Sequence, residues 1–90
     1  MNTRFETSYG NDLKKIVDKA LKAEIKQTTL SAEEAKTLKD IPKLRKLQGY
    51  KKGKYYRIRV GDYRIGVTVE GDLLTFERCL LRKDFYKYYP

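Results

Sequence analysis

The fold is decided by Tyr55-Tyr56-Arg57-Ile58-Arg59-Val60-Gly61-Asp62-Tyr63-Arg64-Ile65-Gly66-Val67-Thr68-Val69, which alternates apolar and polar residues on both sides of a glycine. Successive side chains of a strand point to opposite faces of its sheet, and Gly61-Asp62 is typical of a hairpin turn. One face therefore receives the apolar residues Tyr56, Ile58, Val60, Tyr63, Ile65 and Val67. The other face receives Arg57, Arg59 and Arg64. Guanidinium groups gathered on one sheet face indicate contact with phosphate, although a solvated surface would show the same pattern.

The charge of the chain supports a polyanionic partner. Its 90 residues include 21 Lys and Arg against 12 Asp and Glu, which gives a formal net charge of +9. Such an excess favours nucleic acid through counterion release. A membrane surface is less favoured because the sequence has no basic amphipathic helix with a large aromatic face. An acidic protein partner would satisfy the same charge.

The remaining composition sets broad limits. The length suits one domain over residues 1–90, with a modest core. Cys79 is the only cysteine, so the sequence predicts neither a disulfide framework nor a cysteine-rich metal site. It also shows no apolar run of membrane-spanning length, and its polar first residues are unlike a signal peptide. A cytoplasmic protein that contacts no membrane is the simplest expectation.

Hydrophobic spacing predicts the order of the other elements. Residues 4–8 suggest a first strand, and residues 9–25 follow the period of a helix. Ser31-Ala32-Glu33-Glu34 resembles a capping box with Ser31 as N-cap, which predicts a second helix through Leu38 that ends before Pro42. Residues 73–80 form a last strand with poor alternation, because Leu74, Phe76 and Leu80 share a face with Arg78.

Together these elements predict an α+β domain. Two N-terminal helices pack on one face of a small, mainly antiparallel four-stranded sheet, and a short aromatic tail follows. If the helices cover the apolar face, the arginine face is left open. We expect the functional site there.

Three segments carry a resemblance to a known family. They are Ile41-Pro42-Lys43-Leu44-Arg45-Lys46-Leu47-Gln48-Gly49, Tyr56-Arg57-Ile58-Arg59-Val60-Gly61-Asp62-Tyr63-Arg64-Ile65 and Arg82-Lys83-Asp84-Phe85-Tyr86. The chain resembles the RelE/ParE superfamily of type II toxin-antitoxin toxins over nearly its whole length. RelE-like members are small endoribonucleases that cut messenger RNA, commonly on the ribosome, and a cognate antitoxin holds them inactive. ParE-like members share the fold and poison DNA gyrase.

The resemblance implies roles for particular residues. Arg64, Arg82 and Tyr86 match catalytic positions: the two arginines would stabilise charge on the phosphate, and the Tyr86 phenol would transfer a proton. Arg57 and Arg59 match the basic pair on the preceding strand and would bind the RNA backbone. Further RNA-binding lysines would be Lys51, Lys52 and Lys54. Tyr55 or Phe85 could stack on an unpaired base. The scheme needs neither a metal nor a cofactor, and the implied partners are antitoxin, messenger RNA and the 30S A site of the ribosome.

One departure from the family pattern keeps other functions open. Many relatives have Gly-His-Arg where this chain has Leu80-Leu81-Arg82, and the chain contains no histidine. Histidine is the side chain best suited to proton transfer near neutral pH. The alternatives are therefore a ParE-like gyrase poison and a degenerate member that only binds its antitoxin. Without the family match, Tyr86 would be interpreted as a packed C-terminal anchor.

Overall fold

The hairpin predicted from the alternation is present in the computed structural model, which describes residues 1–50 and 53–90. Its strands pair with Ile58 opposite Ile65 and with Arg59 opposite Arg64, so the apolar and arginine sets occupy opposite faces as predicted. The turn lies at Gly61, whose φ of 56° is a conformation that glycine adopts without a steric cost.

The hairpin forms part of a five-stranded sheet in the order β1-β5-β4-β3-β2, with β1 parallel to β5 and the other neighbours antiparallel. The strands are β1 (Asn2–Phe5), β2 (Leu44–Lys46), β3 (Tyr55–Val60), β4 (Tyr63–Glu70) and β5 (Leu73–Leu81). The helices are α1 (Thr7–Lys14), α2 (Lys19–Glu34) and α3 (Arg82–Tyr88), with a short 3-10 turn at Leu38–Asp40. The α+β class is confirmed. The predicted number of strands was too small by one, because β2 lies where a connection was expected.

The boundaries of the N-terminal helices differ from the prediction. A single helix over residues 9–25 was wrong, because Asp18 starts a new helix by accepting hydrogen bonds from the backbone N–H groups of Ala20 and Leu21 at 2.9 and 3.2 Å. A helix start at Ser31 was also wrong, since Ser31 lies inside α2. The capping box is formed instead by Thr37 and Asp40 at the 3-10 turn.

The main core lies between the apolar face of the sheet and the helices α1 and α2. Sheet residues such as Ile58, Ile65 and Phe76 are almost wholly buried there against Tyr9 and Ile25 of the helices. Burying a large apolar side chain contributes about 1.5–3 kcal/mol, so this layer supplies most of the stability of the domain. Among the described residues, no helix is long and apolar enough to cross a membrane.

A β-bulge explains the poor alternation of the last strand. The pairing of β4 with β5 shifts between Gly66 and Val67, so that Gly66 pairs with Arg78 but Val67 pairs with Phe76. Glu77 is the extra residue, and it switches which side chains face the core. Phe76 before the bulge and Cys79 after it therefore join the same core.

The edge of β5 beyond the end of β1 is covered by α1. The buried carboxylate of Asp12 accepts hydrogen bonds from Nε of Arg78 at 2.8 Å and from the backbone N–H of Cys79 at 2.9 Å. This ion pair joins α1 to β5. Burial, with the nearby charge of Asp12, raises the pKa of the Cys79 thiol to about 12, so Cys79 is an inert packed residue.

The second face of the sheet is not open along its whole length. The expected aromatic tail is the helix α3, whose Phe85 packs with Tyr89 and Leu47 into a small second core. The ring of Tyr89 lies directly on Gly66, where a Cβ atom would come within 2.7 Å of the ring. Gly66 thus allows the C-terminal segment to pack closely against the sheet.

We expect Gly66→Ala to lower the free energy of unfolding by about 1–3 kcal/mol, because the added methyl group must displace the Tyr89 ring. The matched control is Gly10→Ala in α1, where a Cβ would meet nothing within 4 Å. Alanine is favoured in helices, so this control should gain up to about 1 kcal/mol. Thermal and urea denaturation measure both changes. Equal effects of the two substitutions would contradict the proposed packing.

Candidate functional site

Four arginines and one tyrosine meet on the α3 side of the sheet, around the turn between β3 and β4. Arg57 and Arg59 come from β3, and Arg64 faces Arg59 from β4. Arg82 is the first residue of α3, and Tyr86 follows it by one helical turn on the same side. We call Arg57, Arg59, Arg64 and Arg82 the arginine cluster.

A backbone contact brings α3 to this turn. The N–H of Arg82 donates to the carbonyl of Asp62 at 2.8 Å. The hairpin turn and the start of the helix are therefore held together although they are far apart in the sequence. This contact gathers Arg64, Arg82 and Tyr86, the three side chains that the sequence predicted as catalytic.

Arg64 lies at the centre of the cluster and is held in a fixed orientation. It is only 8% exposed, and its Nη1 atom donates to the carbonyl oxygens of Gly61 and Tyr63, both at 2.9 Å. The described residues offer no hydrogen-bond acceptor to its Nη2 and Nε atoms. One side of the guanidinium is thus tied to the hairpin turn, and its other side is left for an anion.

The environment of Arg64 is strongly positive. Burial lowers its pKa, and the charges of Arg57, Arg59 and Arg82 lower it further, while Tyr86 acts in the opposite direction. A guanidinium begins so far above neutrality that Arg64 remains charged. The described residues place no carboxylate oxygen within 4.0 Å of any arginine of the cluster. The repulsion is therefore uncompensated within this part of the chain, and a bound polyanion would relieve it.

Tyr86 is accessible to a substrate. It is 58% exposed and touches the edge of the Phe85 ring at a centroid distance of 5.0 Å. Its interpretation as a packed anchor was wrong, because Phe85 and Tyr89 fill that role. Complete burial also corrects the expectation that Phe85 could stack on a base. Tyr55 is half-buried between Tyr50 and Tyr89.

An open depression of about 560 Å³ adjoins the cluster. It is lined by Asp62, Leu81, Arg82, Lys83 and Tyr86. Its size suits a nucleotide, and cationic and phenolic groups border it. In the described part of the chain, no group of three His, Cys, Asp or Glu side chains is placed to hold a metal ion.

Lys54, one of the three lysines predicted to bind RNA, does not belong to the arginine cluster. Lys54 precedes β3, at the end of the strand opposite the Gly61 turn, which places it roughly 20 Å away at about 3.3 Å per residue. Its Nζ lies 3.8 Å from Oε1 of Glu70 and 5.5 Å from the centre of the Tyr55 ring. Lys51 and Lys52 lie outside the described residues.

Some residues that build the site were not predicted. The contact of the Tyr89 ring with Gly66 holds α3 against the sheet, and the backbone carbonyl of Asp62 fixes the position of Arg82 by accepting its N–H. A glycine inside a strand is a known sign of a close approach by another group, so Gly66 offered a signal. A backbone carbonyl leaves no signal in the sequence.

The fold of the chain has counterparts among solved toxin-antitoxin structures. The chain is 36% identical to a chain of the RelB-RelE antitoxin-toxin complex from Methanococcus jannaschii, with a TM-score of 0.80 over 97% of this chain and 99% of that chain. A YoeB dimer from Staphylococcus aureus has the same fold at 24% identity and a TM-score of 0.71, over 91% of this chain and 97% of that chain. The fold is that of the RelE-type toxins.

A curated relative identifies the family. The chain is 37% identical to Toxin RelE3 of Methanocaldococcus jannaschii over 91 aligned positions, which cover 100% of both proteins. No family model matches the sequence. Identity at this level over the full length shows that the chain belongs to the RelE family of toxins of toxin-antitoxin systems. The prediction of a RelE-like member is confirmed.

The arginine cluster should bind anions in the absence of RNA. We expect sulfate to raise the melting temperature more than chloride at equal ionic strength, because an anion that binds only the folded state stabilises it by about 1.4 kcal/mol at ten times its Kd. Sulfate also stabilises proteins in general, so the excess must depend on the cluster. It should shrink in Arg64→Ala and persist in Lys54→Ala. An equal excess in both variants would contradict an anion site at Arg64.

Proposed function

We propose that this toxin is an endoribonuclease that cleaves messenger RNA at the 30S A site of the ribosome, without a metal ion, in the cytoplasm. The observation that carries the proposal is the arginine cluster beside an exposed tyrosine, with Arg64 fixed and half of its guanidinium left for an anion. The likeness to RelE toxins over the full length supports it.

The chemistry uses a nucleophile that RNA itself supplies. The 2′-oxygen attacks the adjacent phosphorus, the bond to the 5′-oxygen breaks, and a 2′,3′-cyclic phosphate and a 5′-hydroxyl remain. The 2′-hydroxyl proton must leave, and the departing 5′-oxygen must receive one. A protein can therefore promote the reaction by aligning the RNA, stabilising the phosphorane charge and moving two protons.

The residues of the cluster divide this work. Arg64 would hold a phosphate oxygen through Nη2 and Nε, since Nη1 is already tied to the hairpin turn. Arg82, exposed at the start of α3, would stabilise the charge that develops in the transition state. Arg57 and Arg59 would hold the neighbouring phosphates, and Lys51, Lys52 and Lys54 would extend this contact along the RNA.

Tyr86 is the group best placed for proton transfer. It is exposed next to Arg82, and its phenol can donate a proton to the 5′-oxygen or accept one from the 2′-hydroxyl. The chain has no histidine, so the proposed reaction depends mainly on charge stabilisation and orientation. The ribosome would contribute orientation by presenting the codon in a fixed conformation.

A cognate antitoxin is the second proposed partner. The solved relatives include RelB-RelE complexes from Methanococcus jannaschii and Pyrococcus horikoshii. With a net charge of +9, this chain would attract an acidic antitoxin segment at long range and release it more easily at high salt.

We expect Arg64→Ala and Tyr86→Phe each to reduce RNA cleavage about a hundredfold or more, the usual cost of removing a group that acts on the transition state. Sequencing of RNA ends after brief induction measures the loss in cells, and a ribosome-bound message measures it in solution. The matched controls are Arg4→Ala, at an exposed arginine of β1, and Tyr88→Phe, at a tyrosine of α3 that is 60% exposed.

The outcomes separate the three functions. Full cleavage by both catalytic variants would show that Arg64 and Tyr86 have other roles. DNA-damage signalling without new RNA ends in the wild-type protein would identify a gyrase poison. Antitoxin binding with neither activity would identify a degenerate toxin.

We also expect cleavage to survive removal of divalent metal. The test uses ribosomes stabilised by polyamine in excess chelator, with a metal-dependent nuclease in parallel as a control for chelation. In the proposed scheme, guanidinium groups provide the charge that Mg²⁺ provides in other nucleases. Loss of cleavage while the ribosomes remain intact would contradict the metal-free mechanism.

A further inference from the structure

One edge of the sheet is left without a neighbouring strand over part of its length. Strand β1 pairs with β5 only from Leu73 to Phe76, although β5 continues to Leu81. A cavity of about 450 Å³ lies beside this uncovered end of β5, between the end of α1 and the helix α3. Cys79, Leu81 and Tyr88 are among the residues that line it. We call it the edge cavity.

The register of β5 determines which of its backbone groups face this edge. The N–H of Cys79 donates to the carboxylate of Asp12 outside the sheet at 2.9 Å, so it does not bond to β4. Backbone groups alternate between the two sides of a strand, so the carbonyl of Cys79 and the N–H of Leu81 also point away from β4. The N–H of Arg82 agrees with this alternation, because it faces the other way and donates to the carbonyl of Asp62.

Two of these outward-facing groups are left for a ligand. The hydroxyl of Ser8 donates to the carbonyl of Glu77 at 2.6 Å, and Asp12 occupies the N–H of Cys79. In the part of the chain that the structure describes, the carbonyl of Cys79 and the N–H of Leu81 have no hydrogen-bond partner. Because α3 begins directly after Leu81, this edge is too short to pair with another strand. It offers one acceptor beside one donor.

The charged side chains that line the edge cavity balance one another. Lys15 and Arg78 are positive, and Asp12 and Asp84 are negative. Both oxygens of Asp12 bind the guanidinium of Arg78, at 2.8 and 3.2 Å. The arginine cluster, in contrast, brings four positive charges together. A phosphate would therefore favour the arginine cluster, whereas the edge cavity suits a neutral group.

An exposed aromatic ring borders the edge cavity. Tyr88 is 60% exposed, and the centre of its ring lies 5.9 Å from the guanidinium of Arg78. Because Asp12 fixes that guanidinium, the cation–π contact helps to hold the Tyr88 ring in place. Unpaired bases stack on aromatic side chains of this kind. Stacking uses the ring alone, so phenylalanine would serve equally at this position.

From these features we propose that the edge cavity binds one unpaired base of the RNA substrate. The carbonyl of Cys79 would accept a hydrogen bond from an N–H group of the base, and the N–H of Leu81 would donate to the neighbouring acceptor atom. The ring of Tyr88 would stack on the base. The inference rests on the proposed function, because it names the part of the RNA that this end of the site recognises.

The edge cavity is close enough to the arginine cluster to serve the same RNA strand. Leu81 lines both the edge cavity and the depression beside Arg82 and Tyr86. Leu80 pairs with Arg64, and paired strands lie about 4.8 Å apart. RNA with a phosphate at Arg64 would therefore bring a neighbouring base to the outer edge of β5. The edge cavity would then contribute to the choice of cleavage sequence.

The first test uses the four ribonucleoside 5′-monophosphates, with ribose 5-phosphate as a control that has the phosphate but no base. In chemical-shift mapping on labelled toxin, at least one mononucleotide should shift the amide of Leu81 and the ring of Tyr88. Ribose 5-phosphate should shift neither. No shift at Leu81 with any mononucleotide, or an equal shift with ribose 5-phosphate, would overturn the inference.

The second test removes the donor while keeping the backbone conformation. Leu81 has φ −58° and ψ 146°, a conformation that proline adopts, so Leu81→Pro should fold. It should weaken the mononucleotide that shifts Leu81 about fivefold or more, because an acceptor of the base loses its partner. The matched control Leu81→Ala keeps the N–H and should bind like the wild type. Equal binding by wild type and Leu81→Pro would overturn the inference.

A variant of the aromatic wall gives an independent measurement that does not depend on proline. Tyr88→Ala should weaken the same mononucleotide about fivefold or more, which is the usual cost of removing a stacking surface. Its matched control is Tyr88→Phe, which keeps the ring and should bind like the wild type. Full binding by Tyr88→Ala would contradict the proposed stacking.

RNA cleavage by the same proteins separates this inference from the proposed function. The RNA ends made by the wild type should show a base preference at one position beside the cut, which Leu81→Pro loses and Leu81→Ala keeps. Cleavage without a preference, or with a preference that Leu81→Pro keeps, would overturn the inference and leave the nuclease proposal standing. If the wild type does not cleave RNA, the nuclease proposal fails while mononucleotide mapping still tests the edge cavity. A shift of Leu81 with purified antitoxin and with no mononucleotide would show that this edge binds protein, which contradicts the inference.

Discussion

The contact between the Tyr89 ring and Gly66 determines what the second face of the sheet can do. Glycine leaves room for an aromatic ring directly on the strand, and any other residue at this position would place a Cβ within 2.7 Å of that ring. With Tyr89 and Phe85 seated, α3 lies against the sheet and its first residue reaches the hairpin turn, where Asp62 accepts its backbone hydrogen bond. The proximity of Arg82 and Tyr86 to Arg64 follows from this packing.

The two faces of the sheet differ in their packing and in their charge. The face under α1 and α2 buries the large apolar core, and the buried carboxylate of Asp12 is paired there with Arg78. The other face carries the smaller core around Phe85 and the arginine cluster, which meets no carboxylate oxygen within 4.0 Å in the part of the chain that the structure describes. Uncompensated charge lowers the stability of a small domain, so its presence at one place indicates a functional surface.

The sequence predicted the features that depend on local periodicity and missed those that depend on tertiary contacts. Alternation from Tyr55 to Val69 gave the hairpin and placed Arg57, Arg59 and Arg64 on one face, as the register shows. The bulge at Glu77 hid the core pattern of β5, because one extra residue reverses the alternation. The pattern of residues 9–25 continued through the break at Asp18, since apolar spacing does not reveal a side-chain cap.

For the candidate site, the family resemblance identified residues that hydrophobic periodicity could not. It named Arg82 and Tyr86, which lie outside the hairpin, but not the contacts through Gly66 and Asp62 that bring them to Arg64.

Lys54 illustrates the limit of reasoning from proximity in sequence. It precedes the arginine strand by one residue, yet lies at the far end of the hairpin from Arg64.

The most direct test of the proposed mechanism is the structure of the toxin on a ribosome whose message carries a 2′-O-methyl group at the cleavage site, so that the nucleophile is blocked. In the proposed mechanism, the scissile phosphate contacts Nη2 and Nε of Arg64 and lies within reach of Arg82 and Tyr86. A scissile phosphate bound away from Arg64, or RNA that crosses the α1 and α2 side of the sheet, would contradict it.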